Sequence, residues 1–170
     1  MIVDSSAIVA IVLREPGWED LVARLGADAA AGVGAPTLAE IGLVLTARLG
    51  KNAGPVLSRF IQEFRLAIIP FTQEHWRTAV DAYARFGKGR HGAALNFGDC
   101  LAYATARLAR QPLLYVGTDF SKTDCPQLDP GLVGSRLSKT PWCGETRVRR
   151  ARPIYSAVVP PSITSSLPVT

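Results

Sequence analysis

The sequence predicts an α/β fold in which a central parallel β-sheet is flanked by α-helices on both faces. Three observations carry this prediction. Short β-branched or apolar runs, beginning with Ile2-Val3 and ending with Leu113–Val116, alternate with stretches of helical period. Nearly half of the 170 residues are apolar, enough to bury the core of one domain. Acidic residues stand directly after the first and last strands, and in a parallel sheet all strand ends share one edge.

The elements follow in order. Ile2 and Val3 read as the end of a buried strand, and Asp4-Ser5-Ser6 offers good residues for starting a helix. Ala7–Leu13 is a short, wholly apolar helix broken by Glu15-Pro16-Gly17. Trp18–Leu25 has a helical period and ends at Gly26, and residues 29–35 contain a short strand. Pro36-Thr37 opens a helix over Leu38–Leu49, closed by Gly50. A further helix runs from Pro55 to Arg65 with Val56, Phe60, Ile61 and Phe64 facing inward. Leu66–Phe71 is a strand. Thr72 caps a helix reaching Phe86, with Trp76, Val80 and Tyr83 inward and His75 on the solvated face. Residues 87–94 form a loop carrying Lys88, Arg90 and His91. Asn96-Phe97-Gly98-Asp99 leads into a helix over Cys100–Arg110, and Pro112–Val116 is the last strand. Periodicity stops near Asp124, which divides the chain into a domain over residues 1–125 and a Pro-, Ser- and Arg-rich tail over 126–170, expected to be largely disordered.

The formal charge of +5 invites a nucleic-acid reading, but its distribution weakens the argument. Residues 1–125 hold 13 Lys and Arg against 12 Asp and Glu, whereas residues 126–170 hold 6 against 2. The basic excess lies in the tail. Cys100, Cys125 and Cys143 form no CxxC pair and no zinc pattern, which points to a reducing compartment. An Asp rather than a basic residue precedes the apolar start, so it does not read as a signal peptide, and no run is long enough to span a membrane. The expected location is the cytoplasm.

Four carboxylates stand out: Asp4 after the first strand, Glu40 in the first turn of the helix after Pro36, Asp99 at a helix start and Asp119 after the last strand. The topology brings all four to one crevice. Packed together they repel, so their pKa values rise or a cation binds. An all-oxygen site without His or Cys suits Mg²⁺ or Mn²⁺, which activate water and stabilise a phosphodiester under attack. Each acid also has a local explanation. Asp4 caps a helix, Thr37 and Glu40 have capping-box spacing, Asp99 favours a helix N-terminus, and Asp119 suits a turn. Four independent caps at equivalent topological positions are the poorer explanation. Lys88, Arg90 and His91 suit phosphate contact, or simply make a solvated basic turn. Cys100 reads as a buried helix residue rather than a nucleophile.

With Met1–Ala7 as its opening, Glu40 in the second helix-borne position, and Gly87–His91 continuing to Leu95–Cys100, the chain resembles a PIN-domain ribonuclease of the VapC toxin type. The resemblance covers residues 1 to about 124. It implies a PIN fold, a Mg²⁺-dependent endoribonuclease (Mn²⁺ as the alternative ion), and RNA as substrate, tRNA or another structured RNA. It further implies homodimerisation and a cognate VapB-type antitoxin. On that basis Asp4, Glu40, Asp99 and Asp119 hold the metal and prepare the attacking water, Ser6 and Asn96 support the acids by hydrogen bonds, and Lys88, Arg90 and His91 contact RNA. Cleavage then leaves a 5′-phosphate and a 3′-hydroxyl. The antitoxin is expected to cover the crevice and the apolar surface near Trp18 and the helix after Pro36, placing an Arg among the acids.

Two departures from the family pattern stand in the sequence. Gly117-Thr118-Asp119-Phe120 has Thr118 where the family usually carries a second acid, with Asp124 as a substitute, and the tail extends beyond the family's usual end. The alternative is therefore a catalytically impaired PIN scaffold that binds RNA or antitoxin without cleavage. A haloacid-dehalogenase-like phosphatase is a poorer match, since Ser6 occupies the position where it needs its second Asp.

Overall fold

The computed structural model describes residues 1–126, and the expected disorder of the tail lies outside these residues. Four short strands, β1 (Ile2–Val3), β2 (Gly32–Gly34), β3 (Ala67–Ile69) and β4 (Leu113–Leu114), form one sheet in the order β3-β2-β1-β4. All three pairings are parallel, with Ile2 opposite both Gly32 and Leu113, and Val33 opposite Ile68. Six helices connect the strands: α1 (Ser5–Leu13), α2 (Trp18–Ala27), α3 (Ala35–Leu49), α4 (Gly54–Glu63), α5 (Gln73–Phe86) and α6 (Phe97–Ala109). A short 3₁₀ turn at Phe120–Lys122 follows β4.

Strand periodicity divides the core in two. Neighbouring side chains on a strand point to opposite faces. Val3 and Leu114 accordingly join a cluster with Ile8, Leu25, Ile41, Leu45 and Phe60, from α1 to α4. Ile2 and Leu113 join Ala82, Phe86, Leu101 and Tyr103, from α5 and α6. The sheet is thus covered on both faces, as the alternation of elements requires. Among the described residues no helix is long and apolar enough to cross a membrane.

Three local expectations are corrected. α3 begins at Ala35 with Gly34 as its N-cap, so Thr37 lies inside the helix, its buried hydroxyl without a partner, and the Thr37–Glu40 capping box does not form. Glu40 consequently sits in the second turn rather than the first. On α4, Leu57 and Phe60 are buried while Val56 is exposed. On α5 the apolar stripe is reversed. Trp76, Val80 and Tyr83 are exposed, whereas His75, Ala79, Ala82 and Phe86 are buried. The reason is packing: α5 lies against α6, and Ala79, Ala82 and Phe86 join the buried cluster with Leu101 and Tyr103, the Phe86 and Tyr103 rings standing 5.9 Å apart. His75 is held inside the Thr72 cap, its Nδ1 accepting the Thr72 backbone N–H at 3.2 Å, and burial lowers its pKa.

Candidate active site

β1 ends at Asp4, whose backbone N–H donates to the Leu114 carbonyl at 2.9 Å and so ties the acid to the end of β4. Asp4 is 2% exposed and caps α1. Its Oδ2 accepts from the Ser6 backbone N–H at 3.0 Å and from the Ser6 hydroxyl at 2.6 Å. The Ser6 oxygen in turn accepts the Val116 N–H at 3.0 Å. A hydroxyl has one proton, and accepting from Val116 leaves that proton aimed at Asp4.

Glu40 reaches the same crevice from α3, where the Ser5 side chain acts to lower its pKa against the effect of burial. Asp99 arrives at the third residue of α6. Its Oδ2 accepts the Asn96 N–H at 2.8 Å while its own N–H donates to the Asn96 side-chain oxygen at 3.0 Å, a reciprocal cap. Asp119 is exposed and precedes the 3₁₀ turn after β4. Capping and clustering therefore coexist: Asp4 and Asp99 do both.

The electrostatics link the four acids. Burial raises the Asp4 pKa, partly offset by the Ser6 hydrogen bonds, and the charge of Asp119 raises it further. Burial also raises that of Glu40, with the charges of Asp4 and Asp99 adding to it. For Asp99 the upward causes are burial and the charges of Asp4 and Asp119, against the hydrogen bond from Asn96. Asp4 Oδ1 and Glu40 Oε2 are buried without a hydrogen-bond partner. A buried carboxylate oxygen lacking any donor is costly, and a hard cation relieves both that cost and the mutual repulsion. The residues present thus fit a divalent ion in donor type, charge and unmet demand. As they stand, no three His, Cys, Asp or Glu side chains among the described residues close into a ligand set.

The other expected residues lie nearby or are engaged elsewhere. Lys88, Arg90 and His91 are exposed on the loop between α5 and α6. Arg90 stacks over the Tyr83 ring, and His91 Nδ1 accepts the Ala93 N–H at 3.1 Å. Asp124 does not replace the missing acid. It accepts from the Tyr103 hydroxyl at 2.5 Å and from Arg85 at 2.8 Å, with Arg107 at 3.7 Å. Burial opposes its ionisation, but these partners outweigh it and hold its pKa low. Cys100 is buried, and burial with the charge of Asp99 pushes its thiol up to about 11, which excludes it as a thiolate nucleophile near neutral pH. Two participants escaped the sequence reading. Ser5 reads there only as a helix-starting residue, and Gly98, which abuts Glu40, only as one member of the Asn96-Phe97-Gly98-Asp99 segment.

Comparison with known proteins agrees with this architecture. Residues 1–125 match the PIN domain family. Ribonuclease VapC36 of Mycobacterium tuberculosis is 52% identical over 125 residues, covering 73% of this chain and 90% of the relative. Ribonuclease VapC of Mycolicibacterium smegmatis is 36% identical over 124 residues, covering 73% of this chain and 96% of the relative. Among solved structures, Mycobacterium tuberculosis VapC20, described as a Sarcin-Ricin loop cleaving toxin, superposes with a TM-score of 0.62 at 16% identity over 76% of this chain and 98% of the other. VapBC2 from Rickettsia felis, solved bound to a promoter DNA fragment, gives 0.58 at 17% identity over 75% and 96%. With its parallel sheet, its acid-lined edge and these relatives, the chain belongs to the PIN-domain family, among the VapC ribonucleases.

Proposed function

We propose that the protein is a divalent-metal-dependent endoribonuclease, the toxin of a VapBC-type system acting in the cytoplasm, that hydrolyses phosphodiester bonds in tRNA or another structured RNA. The observation that carries this reading is the coupled acid cluster with two buried, unpartnered carboxylate oxygens, Asp4 Oδ1 and Glu40 Oε2. In this reading Asp4, Glu40, Asp99 and Asp119 hold Mg²⁺, or Mn²⁺ in its place. The bound ion supplies Lewis-acid stabilisation of the scissile phosphate and lowers the pKa of water. The protein's own part is positional. Ser6 fixes the orientation of Asp4, and Asn96 fixes Asp99. One of these carboxylates, through an oxygen turned away from the ion, accepts the proton of the attacking water and holds it, for which raised pKa values are suited. Lys88, Arg90 and His91 neutralise flanking phosphates without reading sequence. The products carry a 5′-phosphate and a 3′-hydroxyl.

The partners follow from exposed surfaces. Leu43 on α3 is 74% exposed and Trp18 at the start of α2 is half-buried, and these apolar side chains suit a VapB-type antitoxin segment that also sets an Arg among the acids. A second copy is the proposed occupant of the Trp76–Val80–Tyr83 face. Arg77 and Asp81, exposed one helical turn apart on α5, bring opposite charges that an isologous contact can pair between copies.

The test is cleavage of a mixed tRNA and structured-RNA pool by the purified full chain, freed of antitoxin, with Mg²⁺, with EDTA, and with Asp99→Asn. Cutting that requires both the ion and Asp99 supports the proposal. Thr118, in place of an acid, favours a second reading, the scaffold that binds without cutting. RNA binding with no cleavage in any lane would establish that reading instead.

A further inference from the structure

We propose that Gly98 is a positioning residue for Glu40: the missing side chain at the second residue of α6 gives the carboxylate its place beside Asp99. This deepens the metal-site reading above and rests on it. A Cβ built on Gly98 would collide with Glu40 Oε1, and would lie 2.7 Å from Oε2 and 2.8 Å from Cδ. Real Cβ atoms do not approach so closely, so any other residue here moves the carboxyl group.

Backbone geometry does not require the glycine. Gly98 is absent from the positive-φ glycines, which are Gly17, Gly50, Gly89 and Gly117. In the first turn of a helix alanine is the better helix former. What glycine supplies is room, and it supplies it where an unpartnered buried oxygen, Glu40 Oε2, stands. The bare backbone of Gly98 bounds the carboxylate on one side. The obstructing atoms are the far end of a flexible side chain. Substitution therefore displaces Glu40 and spares the fold. Gly87 makes the contrast, since a Cβ there would meet the Tyr83 backbone and ring, and the helix itself would have to shift.

The experiment measures Mn²⁺ affinity by electron paramagnetic resonance of free Mn²⁺, on the full chain as wild type, Gly98→Ala, Glu40→Asp and the double variant. Thermal unfolding and the Glu40 ¹³Cδ resonance are recorded without the ion. Gly98→Ala is expected to unfold at the wild-type temperature or above, shift the Glu40 resonance, and lose about ten-fold in Mn²⁺ affinity, the lower end for disturbing a ligand's support. Asp is one methylene shorter and withdraws from the new methyl. In the Glu40→Asp background Gly98→Ala is therefore expected to cost less than two-fold. An unmoved Glu40 resonance, unchanged affinity in Gly98→Ala, or the full ten-fold loss persisting in the Asp background overturns the role of Gly98. Failure of the wild type itself to bind Mn²⁺ overturns the metal-site reading, while the Glu40 resonance still decides the placement.

Discussion

Ser6 shows how much one hydroxyl decides at the residue scale. It accepts from Val116 and donates to Asp4, joining the ends of β4 and β1 through a single atom. Ser6→Ala keeps the helix start but releases the orientation of Asp4. Mn²⁺ affinity is expected to fall about 10- to 100-fold, the usual consequence of removing a ligand's supporting hydrogen bond, measured by the same titration as above. Val116 is 46% exposed, so water takes over its N–H and the unfolding temperature should hardly move. Asp4→Asn has the opposite signature. Asn caps a helix as well as Asp does, and the substitution removes a buried charge beside three others. In EDTA the variant is expected to unfold above the wild-type temperature while cleaving no RNA. Unfolding at a lower temperature would mean that the charge of Asp4 stabilises the fold, contrary to its raised pKa.

At the element scale, α5 carries a pH response unrelated to the acids. His75 is buried at the start of the helix and its Nδ1 must be unprotonated to accept from Thr72. Its folded pKa lies below the ordinary value of 6.5, so on acidification the unfolded chain takes up a proton that the folded protein resists. The His75 contribution is complete above 6.5 and is lost as pH falls from there through the folded pKa. Amide hydrogen exchange in the first turn of α5 should accordingly accelerate relative to α6 between neutral pH and pH 5, after correction for intrinsic rates, and His75→Gln should abolish the difference. Equal pH dependence in both helices would remove His75 from this role.

For the whole molecule, the dominant feature beyond the acid crevice is the outward stripe of α5. Trp76 is 50% exposed, Val80 61% and Tyr83 42%, and Phe97 nearby is 78% exposed. Single exposed apolar residues are ordinary, whereas a contiguous aromatic stripe marks an interaction surface. Val80→Glu places a charge at its centre. Sedimentation equilibrium is expected to show a dimer for the wild type and a monomer for the variant, with association weakened at least ten-fold, about 1.4 kcal/mol or more. A wild-type monomer, or a variant dimer of unchanged strength, would mean that another surface pairs the copies or that this stripe meets a different partner.

The sequence by itself determined the alternation of strands and helices, and hence the parallel sheet and the single edge toward which Asp4, Glu40, Asp99 and Asp119 are directed. These follow from local regularities: β-branched runs, helical period, and the places of Asp4 and Asp119 after strands and of Asp99 at a helix start. The tertiary structure decided what depends on a distant neighbour. Periodicity marks an apolar stripe on α5 without saying what covers it, and packing against α6 turned Ala79, Ala82 and Phe86 inward and left Trp76 outward. Helix-cap spacing at Thr37 and Glu40 was overruled by a helix that starts earlier, at Ala35. Asp124 was drawn into the Tyr103–Arg85–Arg107 network by residues far from it in the chain. Ser5 and Gly98 show the same limit most sharply. A hydroxyl and a missing side chain acquire a part at Glu40 only when α1, α3 and α6 meet, because polar interaction and steric room are properties of the assembled packing.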